Sequence, residues 1–182
     1  ANLAQDRNND IREAVAGNAS TPPETLVKLA QDRDPHVRYA VADNPKIPPE
    51  ALVLMAKDRD EEIRAMVADN ESTPPETLAQ LAQDRNDDVR VAVASNTSTP
   101  PETLIKLARD KDSYIRAEVA LNRSAPPEVL VKLAQDPDIF VRRRVGSNKS
   151  TPPEVLAQLV KDKDKRVRDS AAQNLKDGGK RT

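Results

Sequence analysis

Hydrophobic residues recur along this chain in a two-part pattern that repeats every 26 residues. In one such segment the first apolar group is Leu26, Val27, Leu29 and Ala30, and the second is Val37, Val41 and Ala42. Within each group the spacing places the apolar residues on one side of a helix, and polar residues separate the two groups. The pattern therefore predicts two amphipathic α-helices in each segment and no β-strand.

Paired prolines mark the period. They begin at residues 22, 48, 74, 100, 126 and 152. These pairs define seven repeats that start at residues 1, 27, 53, 79, 105, 131 and 157, and we expect residues 1–182 to form a single repeat domain. Proline suits the first turn of a helix, where its missing N–H is not needed.

Polar residues around the paired prolines predict the helix ends. Thr21 is expected to cap the first helix, with Glu24 reaching back as in a capping box. Asp34 is expected to cap the second helix. Asn44 is expected to end that helix in the left-handed conformation that asparagine tolerates.

Two short helices cannot bury their apolar sides alone, so neighbouring repeats must stack into a solenoid. Alanine recurs at the fourth and sixteenth positions of six repeats, and Val160 and Gly146 stand in the others. Small side chains let helix backbones approach closely. The core is therefore predicted to be thin and aliphatic, which accounts for a composition with only three aromatic residues.

The repeats resemble the leucine-rich repeat variant family, whose units combine V-R-x-A-V-A-x-N with T-P-P-E-x-L-x-x-L-A-x-D. Residues 37–44 match the first segment and residues 73–84 match the second. The resemblance implies an all-α, right-handed α-solenoid with alternating α and 3₁₀ helices, similar in style to HEAT repeats. The apolar spacing alone predicts that both helices are α. The family supplies no activity to transfer, and its cysteine-rich iron–sulfur segment has no counterpart in a chain without cysteine.

Variable residues concentrate on the side of the second helix that the apolar stripe leaves free. All three aromatic residues and the sole histidine lie at the tenth and thirteenth positions of their repeats. Interfaces favour tyrosine, phenylalanine, methionine and arginine, so this variable face is a candidate binding surface. The alternative is neutral drift of surface residues. The candidate binding residues are His36, Tyr39, Glu62, Met66, Asp69, Asp88, Val91, Tyr114, Leu121, Phe140, Arg143 and Arg144.

The composition lacks the residues that most catalytic and metal sites need. There is no cysteine, a single histidine and no glycine-rich phosphate loop, so we expect no cofactor and no enzymatic activity. The arginine at the twelfth position of every repeat is expected to pair with the equally constant aspartate in a structural ladder, rather than to bind phosphate. Asp-x-Asp pairs such as Asp32 and Asp34 are expected to cap helices rather than to bind metal.

Charge is distributed unevenly along a chain whose formal net charge is −1. The first four repeats are negative or neutral and the last three are positive, with basic clusters at residues 142–144 and 161–168. The chain is expected to be monomeric. This charge asymmetry would suit an elongated partner, or head-to-tail association of two copies of the chain. Nucleic acid is a less favoured partner because the net charge is near zero and aromatic residues are few.

The sequence thus predicts a scaffold that binds a protein or extended peptide through its second helices. The alternative is a purely structural array, natural or engineered, without a ligand. A cytoplasmic location is expected, because there is no signal-peptide pattern, no long apolar run and no cysteine. The first repeat opens within a helix and residues 175–182 form a polar C-terminal tail, as expected of an excised segment or of an engineered array with a chosen frame.

Overall fold

A computed structural model describes residues 3–178 of the chain, which form helices and short connecting loops without a strand. A single 3₁₀ turn, Leu3–Gln5, precedes the α-helices. The first helices of the repeats are α2 (Pro23–Leu29), α4 (Pro49–Met55), α6 (Pro75–Leu81), α8 (Pro101–Leu107), α10 (Pro127–Leu133) and α12 (Pro153–Leu159). The second helices are α1 (Asn9–Gly17), α3 (Pro35–Ala42), α5 (Glu61–Asp69), α7 (Asp87–Ser95), α9 (Ser113–Leu121), α11 (Ile139–Ser147) and α13 (Lys165–Gly178).

After the 3₁₀ turn Leu3–Gln5, both helices of every described repeat are α-helices. The alternation of α and 3₁₀ helices implied by the family resemblance is therefore wrong for this chain, and the prediction from apolar spacing is confirmed. The first helices have seven residues and the second helices have eight or nine, except for the longer α13. The predicted fold class, an all-α repeat solenoid, is confirmed, and the right-handed sense stays a prediction.

The first helices begin at the paired prolines without the predicted capping box. Pro22 precedes α2 in an extended conformation, and no side chain caps the helix. The hydroxyl of Thr21 instead donates a hydrogen bond to the carbonyl oxygen of Val15 at 2.5 Å. Thr99 and Thr151 bind the ends of the preceding second helices in the same way, at 2.6 Å. The threonine therefore joins consecutive helices rather than capping its own.

The second helices begin as predicted, at an aspartate that caps them. The Asp34 carboxylate accepts a hydrogen bond from the backbone N–H of His36 at 2.9 Å, which satisfies a free amide of the first turn. Asp60, Asp112 and Asp138 do the same for α5, α9 and α11. The first aspartate of each Asp-x-Asp pair is used too, since Asp32 accepts from the N–H of Asp34.

The recurrent asparagine joins repeats together rather than adopting a left-handed conformation. No described residue has the positive φ of that conformation, so this prediction is wrong. The Asn44 side chain donates to the carbonyl oxygens of Ala16 and Asn18 in the preceding repeat, at 2.6 and 3.1 Å. Asn122 and Asn148 make the same pair of bonds, at 2.8 to 2.9 Å. Each asparagine thus satisfies two carbonyls at the end of a neighbouring helix.

The chain divides into two compact halves, Ala1–Ala92 and Val93–Thr182. In the N-terminal half α1 packs on α3 and α3 on α5, and in the C-terminal half α9 packs on α11 and α11 on α13. Each half has an aliphatic core, with Leu26 and Val37 buried in the first and Leu104 and Ile115 in the second. The extent of the repeat domain, 1–182, stays a prediction.

A small residue is required where α11 meets α13. A methyl group added to Gly146 would lie 3.2 Å from the backbone nitrogen of Ala171, closer than most side-chain contacts. The predicted close approach of helix backbones at the sixteenth position is therefore present here.

The predicted polar tail, 175–182, begins inside α13, which continues to Gly178. The rest of this tail lies outside the described residues. None of the described helices is long and apolar enough to span a membrane.

The C-terminal half contains a buried hydroxyl whose removal should increase stability. The Thr103 hydroxyl has no hydrogen-bond partner in the described structure, although the residue is only 1% exposed. The next two repeats have buried valines, Val129 and Val155, at this position. We expect Thr103→Val to raise the free energy of unfolding by about 1 kcal/mol, because it removes an unsatisfied polar group at nearly constant volume. Urea denaturation at pH 7 would measure the change.

Thr99→Val is the matched control. Thr99 is equally buried, but its hydroxyl donates to Val93, so the same substitution should lower the free energy of unfolding by about 1 kcal/mol. Equal losses of stability in both variants would contradict the assignment of an unsatisfied hydroxyl at Thr103.

The hydrogen bonds that asparagine makes between repeats can be tested by replacing its amide donor with a carboxylate, which can only accept. Asn122→Asp places a carboxylate against the carbonyl oxygens of Ala94 and Asn96, so two buried hydrogen bonds are lost and like partial charges meet. We expect a loss of at least about 2 kcal/mol in the free energy of unfolding. Asn18→Asp is the control, because Asn18 is exposed and its side chain accepts a bond from Ser20, which an aspartate keeps. The control should change stability by less than about 0.5 kcal/mol, and a similar loss in both variants would contradict the proposed role.

Candidate functional site

The residues of the candidate binding face all lie on second helices, and none is fully buried. In the N-terminal half His36, Glu62, Asp69 and Asp88 are exposed, and Tyr39, Met66 and Val91 are half-buried. In the C-terminal half Tyr114 and Phe140 are exposed, and Leu121, Arg143 and Arg144 are half-buried. Each half therefore presents its own part of the predicted face.

Tyr39 bridges two second helices of the N-terminal half. Its hydroxyl oxygen lies 2.8 Å from Glu62 Oε2 and 3.0 Å from Asp60 Oδ1, which places α3 against the start of α5. Burial and these two carboxylates raise the pKa of the Tyr39 hydroxyl well above its usual value, so it stays protonated and donates. Tyr39 therefore stabilises the contact between helices and offers a ligand only part of its ring.

The acidic side chains around Tyr39 make this part of the face negative. Tyr39, Arg59, Asp60, Glu61 and Glu62 line a shallow surface depression of about 470 Å³. Three of these five residues are carboxylates. This depression is therefore suited to a cation or a basic side chain rather than to an anion.

Two aromatic rings protrude from neighbouring second helices of the C-terminal half. Tyr114 is 57% exposed and Phe140 is 55% exposed. They occupy the same position in consecutive repeats, and their backbone N–H groups donate to the capping aspartates Asp112 and Asp138 at 2.7 Å. The caps fix the backbone from which each ring projects. Because α9 packs on α11, the two rings belong to one surface.

Arg143 extends this aromatic surface by one helical turn. Its guanidinium carbon lies 5.7 Å from the centre of the Phe140 ring, within the range of a cation–π contact. Leu121 is half-buried at the far end of α9. The C-terminal half thus combines aromatic rings with a positively charged group, the composition that interfaces favour.

Part of the face predicted to be variable and solvated is instead covered by the neighbouring helix. Ala117 is 3% exposed and Glu118 is 9% exposed. Glu118 is held by Arg144 Nη2 at 3.5 Å and by the Ser95 hydroxyl at 3.3 Å. The periodicity of one helix could not reveal this, because the burial comes from the next repeat. The sequence signal was the opposite charge of Glu118 and Arg144 at the same position of consecutive repeats.

The recurrent arginines form the predicted structural ladder. In each described pair the arginine Nε and Nη2 bind both carboxylate oxygens of the aspartate in the next repeat, with Nε–Oδ2 distances of 2.5 to 2.8 Å. The pairs are Arg12–Asp32, Arg38–Asp58 and Arg64–Asp84 in the N-terminal half, and Arg116–Asp136 and Arg142–Asp162 in the C-terminal half.

The third nitrogen of each guanidinium, Nη1, donates a hydrogen bond to a backbone carbonyl oxygen of its own repeat. Arg38 Nη1 donates to the Asp32 carbonyl oxygen at 2.8 Å, and Arg142 Nη1 does the same to Asp136. All three nitrogens of each of these guanidinium groups are therefore hydrogen-bonded, and four of the five arginines are buried. These hydrogen bonds favour the structural ladder over the alternative of phosphate binding.

Three cations at the basic C-terminal end are also engaged within the chain, two of them in ion pairs. Arg166 lies 3.3 Å from Asp164, and Lys165 lies 2.7 Å from Asp169. Arg168 Nη1 donates to the carbonyl oxygens of Asp162 and Lys163. These contacts reduce the positive charge available to a nucleic acid. Within residues 3–178 no group of three potential metal-ligating side chains comes together.

Comparisons with known proteins find one family and a group of helical repeat structures. The model of the leucine rich repeat variant domain matches residues 10–71, and the leucine rich repeat variant model matches residues 61–86, 87–112 and 115–138. A solved structure described as a leucine-rich repeat variant with a novel repetitive structural motif is 33% identical, with a TM-score of 0.71. The match covers 94% of this chain and 68% of that one.

Two more distant structures share the fold alone. YibA of Escherichia coli is 17% identical with a TM-score of 0.57, and the match covers 94% of this chain and 76% of YibA. An engineered protein is 23% identical with a TM-score of 0.51, and the match covers 96% of this chain and 66% of the engineered chain. A comparison with proteins of curated function finds no significant match.

The ion-pair ladder predicts a specific dependence of stability on pH. The hydrogen bonds from Arg64 lower the pKa of Asp84 below its usual value, and Asp32 and Asp162 are shifted in the same direction by Arg12 and Arg142. A lowered pKa contributes stability above the unfolded-state value of about 4, and this contribution is lost as pH falls toward the folded-state pKa. The free energy of unfolding should therefore decrease steeply below about pH 4.

Asp84→Asn isolates one pair of the ladder. At pH 7 the free energy of unfolding of the variant should be about 3 kcal/mol lower than that of the wild type, because the buried Arg64 loses its charged partner. This difference should shrink at lower pH, where Asp84 of the wild type becomes protonated. Urea denaturation between pH 2 and pH 7 would measure both effects. Asp43→Asn, at an exposed position, is the control and should follow the wild-type profile. A difference for Asp84→Asn that is independent of pH would contradict the ion-pair contribution.

Proposed function

The chain belongs to the leucine rich repeat variant family, and we propose that it is a non-enzymatic scaffold that binds a protein or an extended peptide through its second helices. The observation that carries this proposal is the aromatic surface of the C-terminal half. Two of the three aromatic residues of the chain are more than half exposed, at the same position of neighbouring repeats. Aromatic and arginine side chains dominate the binding energy of most protein interfaces.

The aromatic surface is suited to a partner with an apolar anchor. A side chain placed between Tyr114 and Phe140 would cover ring area that is now in contact with water, which is favourable at about 25 cal/mol per Å² of apolar surface. Arg143 beside Phe140 would add a charged contact to a carboxylate or a carbonyl of the partner. Leu121 and Arg144 would lie at the rim of this contact.

The face of the N-terminal half would bind a different chemical group. His36, Glu62, Asp69 and Asp88 are exposed, and Met66 and Val91 lie half-buried among them. Basic side chains of a partner would pair with the carboxylates while apolar ones cover Met66 and Val91. Tyr39 would contribute mainly by holding Glu62 in place.

Three further expectations belong to this proposal. The scaffold acts as a monomer in the cytoplasm, consistent with a chain without cysteine. It carries no catalytic site, consistent with a fold whose recurrent polar residues are committed to helix ends and ion pairs. Nucleic-acid binding by the basic repeats, and an array without any ligand, are the competing functions.

The aromatic surface can be tested by removing its two exposed rings together. Immobilised wild-type chain and the Tyr114→Ala/Phe140→Ala variant would be compared for proteins retained from a lysate, and each retained protein measured for affinity. Each ring that is a hot spot should cost about 2 kcal/mol of binding, so the double variant should retain the partner at least tenfold less well. Thermal unfolding should change little, because both rings are largely exposed.

Val53→Ala/Val131→Ala is the matched control, because these residues are 40% and 43% exposed but lie on first helices. It should leave binding unchanged. Equal loss in both double variants would contradict the assignment of the face, and the absence of any retained partner would favour an array without a ligand. Binding to single-stranded DNA that falls steeply with salt would favour the nucleic-acid alternative instead.

A further inference from the structure

Successive repeats of this chain contact one another through the same positions each time. The arginine at the twelfth position binds the aspartate at the sixth position of the next repeat, as Arg12 binds Asp32. A methyl group added to Gly146, at the sixteenth position, would lie within 3.5 Å of atoms of Val167, Ser170 and Ala171. The sixteenth position of one repeat therefore faces the eleventh, fourteenth and fifteenth positions of the next.

The first repeat exposes the side that would face a preceding repeat. Ile11, at the eleventh position, is 36% exposed, whereas Val37 and Ile63 at the same position are fully buried. Ala14 is exposed and Val15 is half-buried on this side of α1. The three positions that a neighbouring helix covers in other repeats are thus apolar and in contact with water here.

The first repeat also contains a ladder aspartate whose carboxylate has no bidentate arginine. Asp6 Oδ1 accepts a hydrogen bond from the backbone N–H of Asn8 at 2.9 Å. Arg12 binds the backbone carbonyl of Asp6 and gives its other two nitrogens to Asp32. The Asp32 carbonyl likewise binds Arg38 of its own repeat. Asp32 thus has two arginines, whereas no arginine binds the Asp6 carboxylate within residues 3–178.

The last repeat contains the complementary arginine. Arg168 Nη1 donates to two backbone carbonyl oxygens of its own loop at 2.7 and 3.0 Å, as Arg142 Nη1 does in the preceding repeat. Arg142 Nε and Nη2 bind Asp162, but those of Arg168 bind no carboxylate in the described part of the chain. On the same helix Ala172, at the sixteenth position, is half-buried, whereas Ala16 is fully buried.

We propose that the exposed side of α1 in one copy of this chain binds the exposed side of α13 in a second copy. Arg168 of the second copy donates through Nε and Nη2 to the Asp6 carboxylate, as in the five pairs within the chain. Ile11 and Val15 then cover Ala172. Each charged group is already hydrogen-bonded in its own loop, so association costs little conformational freedom.

The charge distribution favours this pairing over contacts between like ends. The first repeat is negative and the last repeat is positive, so α1 of one copy attracts α13 of another. Two first repeats, or two last repeats, would repel each other. Because the two contacting surfaces are different, association is not limited to a dimer.

The end of α13 limits the strength of the contact. This helix continues past Asn174 to Gly178, so the carbonyl oxygens that accept an asparagine in other repeats are used within the helix. The contact between copies lacks those hydrogen bonds and is weaker than the contacts between repeats of one chain. Association therefore depends on concentration, and the dilute chain is monomeric. The contact includes none of the residues assigned to partner binding, so it goes beyond the proposed function.

Sedimentation velocity of the full chain over a range of concentrations at pH 7 tests the proposal. The weight-average mass should rise with concentration above the mass of one chain. Asp6→Arg and Arg168→Asp should each weaken association at least tenfold, because each places like charges at the contact. Glu13→Arg and Arg123→Asp are the controls, since they change the net charge by the same amounts at exposed positions outside the contact. They should leave association within about twofold.

A mixture of the two charge-reversed variants distinguishes this contact from other modes of association. Each variant alone brings like charges together, but in the mixture Arg168 of one variant meets Asp6 of the other. We expect the mixture to form dimers at concentrations where each variant alone is monomeric. A mixture that stays monomeric while the wild type associates would overturn the proposal. A wild type that is monomeric at every concentration, or equal losses in the control variants, would also overturn it.

Ile11→Gln tests the apolar part of the contact while keeping both charged groups. It should weaken association at least threefold, and unchanged association would contradict the packing of α13 on α1. Circular dichroism and thermal unfolding check that each variant keeps its helices and its stability. Tyr114→Ala/Phe140→Ala should leave self-association unchanged, so failure here and failure of the proposed function are distinguishable.

Discussion

The bidentate pair between an arginine and the aspartate of the next repeat is the interaction on which the rest of the structure depends. Arg38 binds the Asp58 carboxylate through Nε and Nη2, and its Nη1 binds the carbonyl oxygen of Asp32 in its own repeat. One side chain thereby fixes the distance between two successive loops. A buried arginine is tolerated only when its charge and its donors are satisfied, and both conditions are met here. The same pair joins successive repeats at Arg12, Arg64, Arg116 and Arg142, which accounts for the recurrence of arginine and aspartate at these positions.

A second network holds the opposite end of the second helices. Asn44 donates to two carbonyls of the preceding repeat, and Thr21 donates to the last turn of α1. The loop before each second helix is thus fixed by ion pairs and the loop after it by asparagine and threonine. The side chains between these two networks that point away from the core belong to neither network, although Tyr39 and Glu118 contact a neighbouring second helix. This explains why the variable residues, including Tyr114 and Phe140, concentrate there.

Sequence reasoning succeeded where the physical cause is periodic and failed where it lies in the neighbouring repeat. The helix pairs, the aspartate caps and the arginine–aspartate pairing follow from spacing and charge within the sequence. Local motifs predict that Thr21 and Asn44 cap their own helices, because these residue types are common at helix ends. Their actual partners are the end of another helix and the previous repeat, respectively. A local motif cannot indicate which of two available partners a polar side chain selects.

The candidate site shows the same division. Some of its features are determined by a single helix, and others are determined by the neighbouring helices. The helical wheel placed the variable positions correctly on the second helices, and the exposure of Tyr114 and Phe140 agrees with that placement. It could not anticipate the burial of Glu118 against Arg144, nor the two carboxylates that engage Tyr39.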